Sequence, residues 1–383
     1  MILSLILSVL LAGQGASGGP AAAAPACAYT RGADTIAVPG HAFAAAPTAD
    51  GCWLFVSLNG QDRARGVAVL RNVAGRFTLV RTVPLRDNTF GLSLTHDGAL
   101  LVVAGGDAVD VLSVPRLEGE AGDPVLGRAP EGPGAGSIEL IASGDDRLLF
   151  VSEERAARLA VLDLERLRRG EFGGKAVIGY VPQGLAPVGL ALSPDGRFLF
   201  ATSQRMPAGA TFPTRCQAES EEEGGGLHPE GGLSLIDVAK ARTDPAHALL
   251  AVAPAGCNPV RVGLSGDGAR AWVTARGENA VYGFDVAGLT ATSPKPSRTR
   301  YPAGDSPVGV AVQPGSGVVW ISDSNRFSPG RQGELQSIGL APGQPPTTLK
   351  SGRFPRDLVF LPDGRTLVVA QFGSDAVQLA PAP

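Results

Sequence analysis

Apolar and polar positions alternate through Pro187 to Ser203, PVGLALSPDGRFLFATS, break at Asp195-Gly196 and resume at Phe198-Leu199-Phe200. A period of two marks a half-buried strand, and an Asp-Gly pair between two such runs predicts a tight hairpin. The pattern recurs as LSLTHDGALLVVAGG, IASGDDRLLFVSE, VGLSGDGARAWVTARGENAVYGFDV, AVQPGSGVVWISDS and LVFLPDGRTLVVAQFGSDAVQL, with AAAPTADGCWLFVS before them all, which makes seven copies. The turn residue falls at Asp50, Asp97, Asp145, Asp195, Asp267, Gly315 and Asp363, so the intervals are 47, 48, 50, 72, 48 and 48 residues. A period near 48 carrying several strands predicts propeller blades rather than helical solenoid repeats. The expected fold is an all-β, seven-bladed propeller of four-stranded antiparallel blades.

The two ends of the pattern complement each other. The last copy offers strands at 358–361, 366–370 and 376–379 and then stops, while Asp34 to Val38 is an apolar-polar run with no hairpin partner. This N-terminal strand is expected to complete the seventh blade and close the ring, removing an exposed edge. The single long interval predicts an insertion at about 205–231 in blade four. It contains CQAESEEEGGGLHPEGG, a composition that reads as a solvated loop and lacks the acidic spacing of a calcium loop.

Ile2 to Leu11 is an apolar run too short to span a bilayer, followed by small residues ending Ala24-Pro25-Ala26. That predicts a signal peptide over 1–26, one propeller domain over 27–383, and a secreted, periplasmic or cell-surface protein that does not span a membrane. Four cysteines in an exported chain suggest two disulfides. With strands antiparallel within each blade, the Asp-Gly turns lie on one face, called lower here. Cys27 and Cys52 fall on this lower face, and Cys216 and Cys257 on the upper, so the expected bonds are Cys27 with Cys52 and Cys216 with Cys257.

Charge and motifs narrow the chemistry. The net charge of -3, without a basic stripe, argues against nucleic acid as a partner. The four histidines, His41, His96, His228 and His247, are scattered, and no metal constellation or cofactor motif stands out. A serine triad, a phosphate loop and a Cys-x-x-Cys pair are likewise missing from the repeats.

Aligning the copies on their turns separates packing from candidate chemistry. Phe55, Val102, Phe150, Phe200, Trp272, Trp320 and Val368 share one strand-two column, expected to pack blade against blade. Near the upper start of the innermost strands the column reads Ala44, Gly91, Glu139, Gly189, Arg261, Gly309 and Asp357, three charges among small residues. These charges are expected at the channel mouth, either as a salt-bridge plug or as a site with Glu139 or Asp357 as acid/base and Arg261 as an anion anchor. Arg356 flanks the set, and the loops after strand two add Glu153, Arg276, Asn279, Asp323 and Asn325 as candidate ligand contacts, with Glu154 and Arg326 among further rim residues.

WVTARGENAVYGFDV, VVAQFGSDAVQL and the recurring S-P-D-G resemble the YVTN-repeat and lactonase-like seven-bladed propellers. The resemblance implies the same fold over nearly the whole mature chain. It also implies one of two roles: binding a protein, a cell-envelope component or a small ligand on the upper face, or opening a sugar or aliphatic lactone at the channel mouth. The expected state is a monomer without a cofactor.

Overall fold

The computed structural model describes residues 27, 29, 32–60, 63–219, 226–291, 294–328, 330–338 and 345–383. The expected signal segment, 1–26, lies outside the described residues.

Seven four-stranded antiparallel sheets form the blades. Their innermost strands are His41–Pro47, Leu92–Leu94, Ser137–Ala142, Leu185–Leu192, Pro259–Leu264, Pro307–Val312 and Pro355–Phe360. Each packs against the next, and the last returns to the first. Closure follows from the chain ends: Asp34–Ala37 is the outer strand of the last blade, with Ile36 opposite Val377 and Asp34 opposite Leu379. A sheet built from both termini ties the first and last parts of the chain together in one blade.

The strand-two column forms the layer between blades. Phe55, Phe150, Phe200 and Trp320 are fully buried, and the same column supplies Val102, Trp272 and Val368 to the inter-blade clusters. Bulky side chains at the wedge between twisted sheets exclude water from both faces of each blade.

Two positions beyond that column the sequence becomes hydroxylic: Ser57, Ser152, Thr202, Thr274 and Ser322, with Ala104 and Ala370 in the remaining blades. Most innermost strands carry an irregularity in register near their upper ends, which leaves an amide without a ladder partner. The hydroxyls accept those amides: Ser152 from Glu139 at 3.0 Å, Thr202 from Gly189 at 2.9 Å and Thr274 from Arg261 at 3.1 Å. The same three donate to carbonyls of the following blade, Val188, Val260 and Val308, at 3.0, 2.9 and 2.8 Å. A row that looks like surface serine in the sequence thus binds neighbouring blades together around the channel.

The lower face repeats one device. A hydroxyl two residues before the turn aspartate donates to it in Thr48-Asp50, Thr95-Asp97, Ser143-Asp145, Ser193-Asp195 and Ser265-Asp267, at 2.5–2.6 Å. The Ser193 and Ser265 hydroxyls hold the Asp195 and Asp267 carboxyls below the usual range. The chain turns on glycines such as Gly196, at φ 69°, where a side chain would be strained.

Two features depart from the strand pattern. Short helices, Val114–Glu118, Leu164–Arg168, Val238–Thr243 and Val286–Thr290, join the third and fourth strands of four blades. Three begin where Ser113, Asp163 and Asp237 accept an amide three residues ahead, so a capping side chain overrides the alternation. The insertion expected as a solvated loop contains a two-stranded ribbon, Arg215–Gln217 against Leu227–Pro229. Cys216 in this ribbon is bonded to Cys257, which anchors it to the upper face; Cys27 is bonded to Cys52 on the lower.

Candidate functional site

The charged column assembles at the upper end of the channel because its irregular strand starts bring neighbouring backbones close together. A Cβ on Gly91 would lie 2.5 Å from Glu139 Oε1, and one on Gly189 would lie 2.4 Å from the Val260 carbonyl. Only the small residues of this column leave room for its charged ones. Arg261 Nη2 lies 2.8 Å from Glu139 Oε2, with both side chains largely enclosed. None of the three Arg261 guanidinium nitrogens has an aligned hydrogen-bond acceptor among the described residues, so the Glu139 contact is one of charge. Burial raises the Glu139 carboxyl despite the opposing pull of Arg261. Asp357 accepts the Ala45 amide at 3.2 Å, which ties blade seven to blade one, and burial raises its carboxyl too.

Above this layer is a cavity of about 700 Å³. Its floor is the column one residue before the charged set: Phe43, Phe90, Ile138, Val188 and Val260 line it, and blade seven contributes Arg356. Blade six places the buried Val308 at the same position. A guanidinium therefore occupies the one non-apolar position of a seven-membered column. Arg356 lies over the Phe43 ring at 3.9 Å, and its Nε is buried without an acceptor. No carboxylate pairs with it among the described residues. Its pKa is well below the usual guanidinium value, first through burial and then through repulsion from Arg261, Arg326 and Arg276.

Arginine dominates the wall: Arg155, Arg205, Arg276 and Arg326 join Arg261 and Arg356, against Glu154 and Glu219. Arg276 Nε donates to Glu219 Oε1 at 3.1 Å, a second guanidinium nitrogen bonds Glu219 Oε2, and Arg276 also reaches Gln204 at 3.2 Å. Gln204 in turn donates to Glu154 at 3.2 Å. Leu185 and Phe327 complete the rim as exposed apolar side chains.

The candidates named from the sequence fall into two groups. Arg261, Arg276 and Arg356 line the cavity, whereas Glu139 and Asp357 do not. Glu153 is fully buried and bonded to Arg158. Asp323 is buried beside Gly304, and burial pushes its carboxyl up to about 7. Asn279 and Asn325 sit in the left-handed region at φ 52° and 48°; Asn279 accepts the Ser306 amide, and Asn325 donates to the Gln332 carbonyl. None of these four lines the cavity. The floor aromatics Phe43, Phe90 and Phe372, together with Arg155, Gln204, Arg205 and Glu219, were not marked by sequence reasoning. Comparing the column preceding the charged one would have exposed the floor. Glu219 has no repeat equivalent and was invisible to any column.

Among the described residues no cluster of three or more His, Cys, Asp or Glu is placed to hold a metal, and no helix is long and apolar enough to cross a membrane. No protein-family model matches the chain, and no curated protein does. Among solved structures, the chain is similar to Kuenenia stuttgartiensis hydrazine synthase, with a TM-score of 0.67 and 17% identity over 90% of this chain and 96% of that one. At that identity the likeness shows the propeller fold alone.

Proposed function

We propose that this chain is an exported propeller of the YVTN-repeat, lactonase-like kind that binds a small molecule in its upper-face cavity. The observation that carries this reading is Arg356, a guanidinium without a hydrogen-bonded carboxylate among the described residues, at the floor of a cavity within the size range of small-molecule sites. Burying a charge without a partner is costly, and a bound ligand would offset that cost. Export is supported by the two disulfides, which persist in oxidising compartments.

Lactone hydrolysis would need Glu139 or Asp357 beside the substrate. Neither lines the cavity, and Arg261 is engaged with Glu139, so binding is the better supported role. The test is a thermal-shift screen of a small-molecule panel that includes sugar and aliphatic lactones, on the mature protein and on Leu185→Trp. Leu185 is partly exposed at the rim, so the larger ring would enter the cavity without displacing core. Ligands that stabilise the parent and not the variant are expected. Ligands that stabilise both equally would place binding elsewhere, and acid release from a lactone would restore the hydrolase.

A further inference from the structure

We infer that the ligand is an amphipathic anion: a carboxylate or other oxyacid head on the Arg356 guanidinium, and an apolar body against Phe43, Phe90, Ile138 and Val188. This rests on the cavity reading above and names the chemistry it selects.

Three observations converge on this class. Phe43 covers one face of the Arg356 guanidinium, its Nε is buried without an acceptor, and the group lines the cavity with what is left of its edge. The face is used by the ring, and what remains is a planar donor edge suited to two oxygens of one acid. The guanidiniums of Arg261, Arg276 and Arg326 face Arg356, against the carboxyls of Glu154, Glu139 and Asp357. Arg261, Arg276 and Arg326 all repel Arg356, so a ligand oxyanion relieves several interactions at once.

The rest of the floor carries no hydrogen-bonding side chain. Phe43 and Phe90 meet edge to face with centroids 5.3 Å apart, with Ile138 and Val188 beside them on the cavity lining. Leu185 and Phe327 continue the apolar surface at the rim. Inorganic phosphate would leave this surface wet, and a neutral sugar would leave the guanidinium without a counter-charge. A molecule with one acidic end and an apolar remainder satisfies both.

The experiment uses two fluorescent probes sharing an N-phenylnaphthylamine body, 8-anilinonaphthalene-1-sulfonate with an acidic head and N-phenyl-1-naphthylamine without one. Each is titrated into the mature protein, Arg356→Met and Leu185→Trp, with near-ultraviolet circular dichroism confirming each fold; Arg356→Gln replaces the Met variant should that one fail to fold. The parent is expected to bind the anionic probe at least about tenfold more tightly than the neutral one, with benzoate displacing it. Arg356→Met should bring the two affinities within about twofold, because only the head-group contact is lost.

Equal affinities in the parent would overturn the anionic class, and a preference that survives Arg356→Met would overturn Arg356 as the group that holds the head. If Leu185→Trp still weakened both probes, the cavity reading would stand. Probe binding untouched by Leu185→Trp, or no binding of either probe, would overturn the amphipathic ligand, leaving the small-molecule panel to decide whether the cavity binds anything.

Discussion

The lower and upper faces are built by the same seven strand pairs, yet one repeats and the other does not. On the lower face, hydroxyl-to-aspartate bonds recur in five blades with nearly equal lengths. On the upper face, equivalent positions carry Glu139, Arg261, Asp357 and Arg356 in some blades and Gly or Val in others. The reason is geometric. Each lower turn solves one local problem, reversing a strand, and has the same solution wherever it occurs. The upper ends converge on a shared space, so a side chain from one blade restricts the others, and identical residues would either clash or leave a void.

The contrast can be broken most severely at the upper ion pair. Arg261→Met leaves Glu139 enclosed without its cation and should cost about 3–5 kcal/mol at pH 9, where the carboxyl would be charged, in urea unfolding. Because burial already raises the Glu139 carboxyl, the loss should shrink at pH 5, where protonation removes the charge. Adding Glu139→Gln should recover much of it; a double variant no better than the single would show that the pair is not the source.

Asp323 tests the same face with the opposite sign. Its carboxyl is raised to about 7 by burial, so the folded chain holds a proton that the unfolded chain releases near pH 4. The stability linked to that proton is full below about pH 4 and is lost as pH rises through 7. Asp323→Asn is therefore expected to be more stabilising at pH 8 than at pH 4, by about 1–3 kcal/mol, and a difference independent of pH would contradict the assignment.

Thr274→Val probes the layer between the faces. It removes the hydroxyl shared by the Arg261 amide and the Val308 carbonyl while keeping volume, and should cost about 1–3 kcal/mol.

The smallest effect belongs to the lower face. Gly196→Ala meets no atom within 4 Å, so its cost comes only from the backbone at φ 69°, about 1 kcal/mol. Probe binding should be unchanged. A shift in affinity from this turn would mean that the two faces are coupled rather than independent.

The sequence by itself determined the number of blades, the strand that closes the ring, the buried strand-two column and the face on which each cysteine lies. These follow from local alternation and from a period repeated often enough to be counted. Only the tertiary structure decided which upper charges meet: that Arg261 reaches Glu139, that Arg356 lies over Phe43 with no ion pair among the described residues, and that Glu219 of the insertion pairs with Arg276. It also showed that Glu153, Asp323, Asn279 and Asn325 do not line the cavity. Strand periodicity sets which side of its own sheet a residue faces, but the channel mouth joins seven sheets from distant parts of the chain. Contacts there depend on ring curvature and on the irregularity at each strand start, and neither leaves a periodic trace in the sequence.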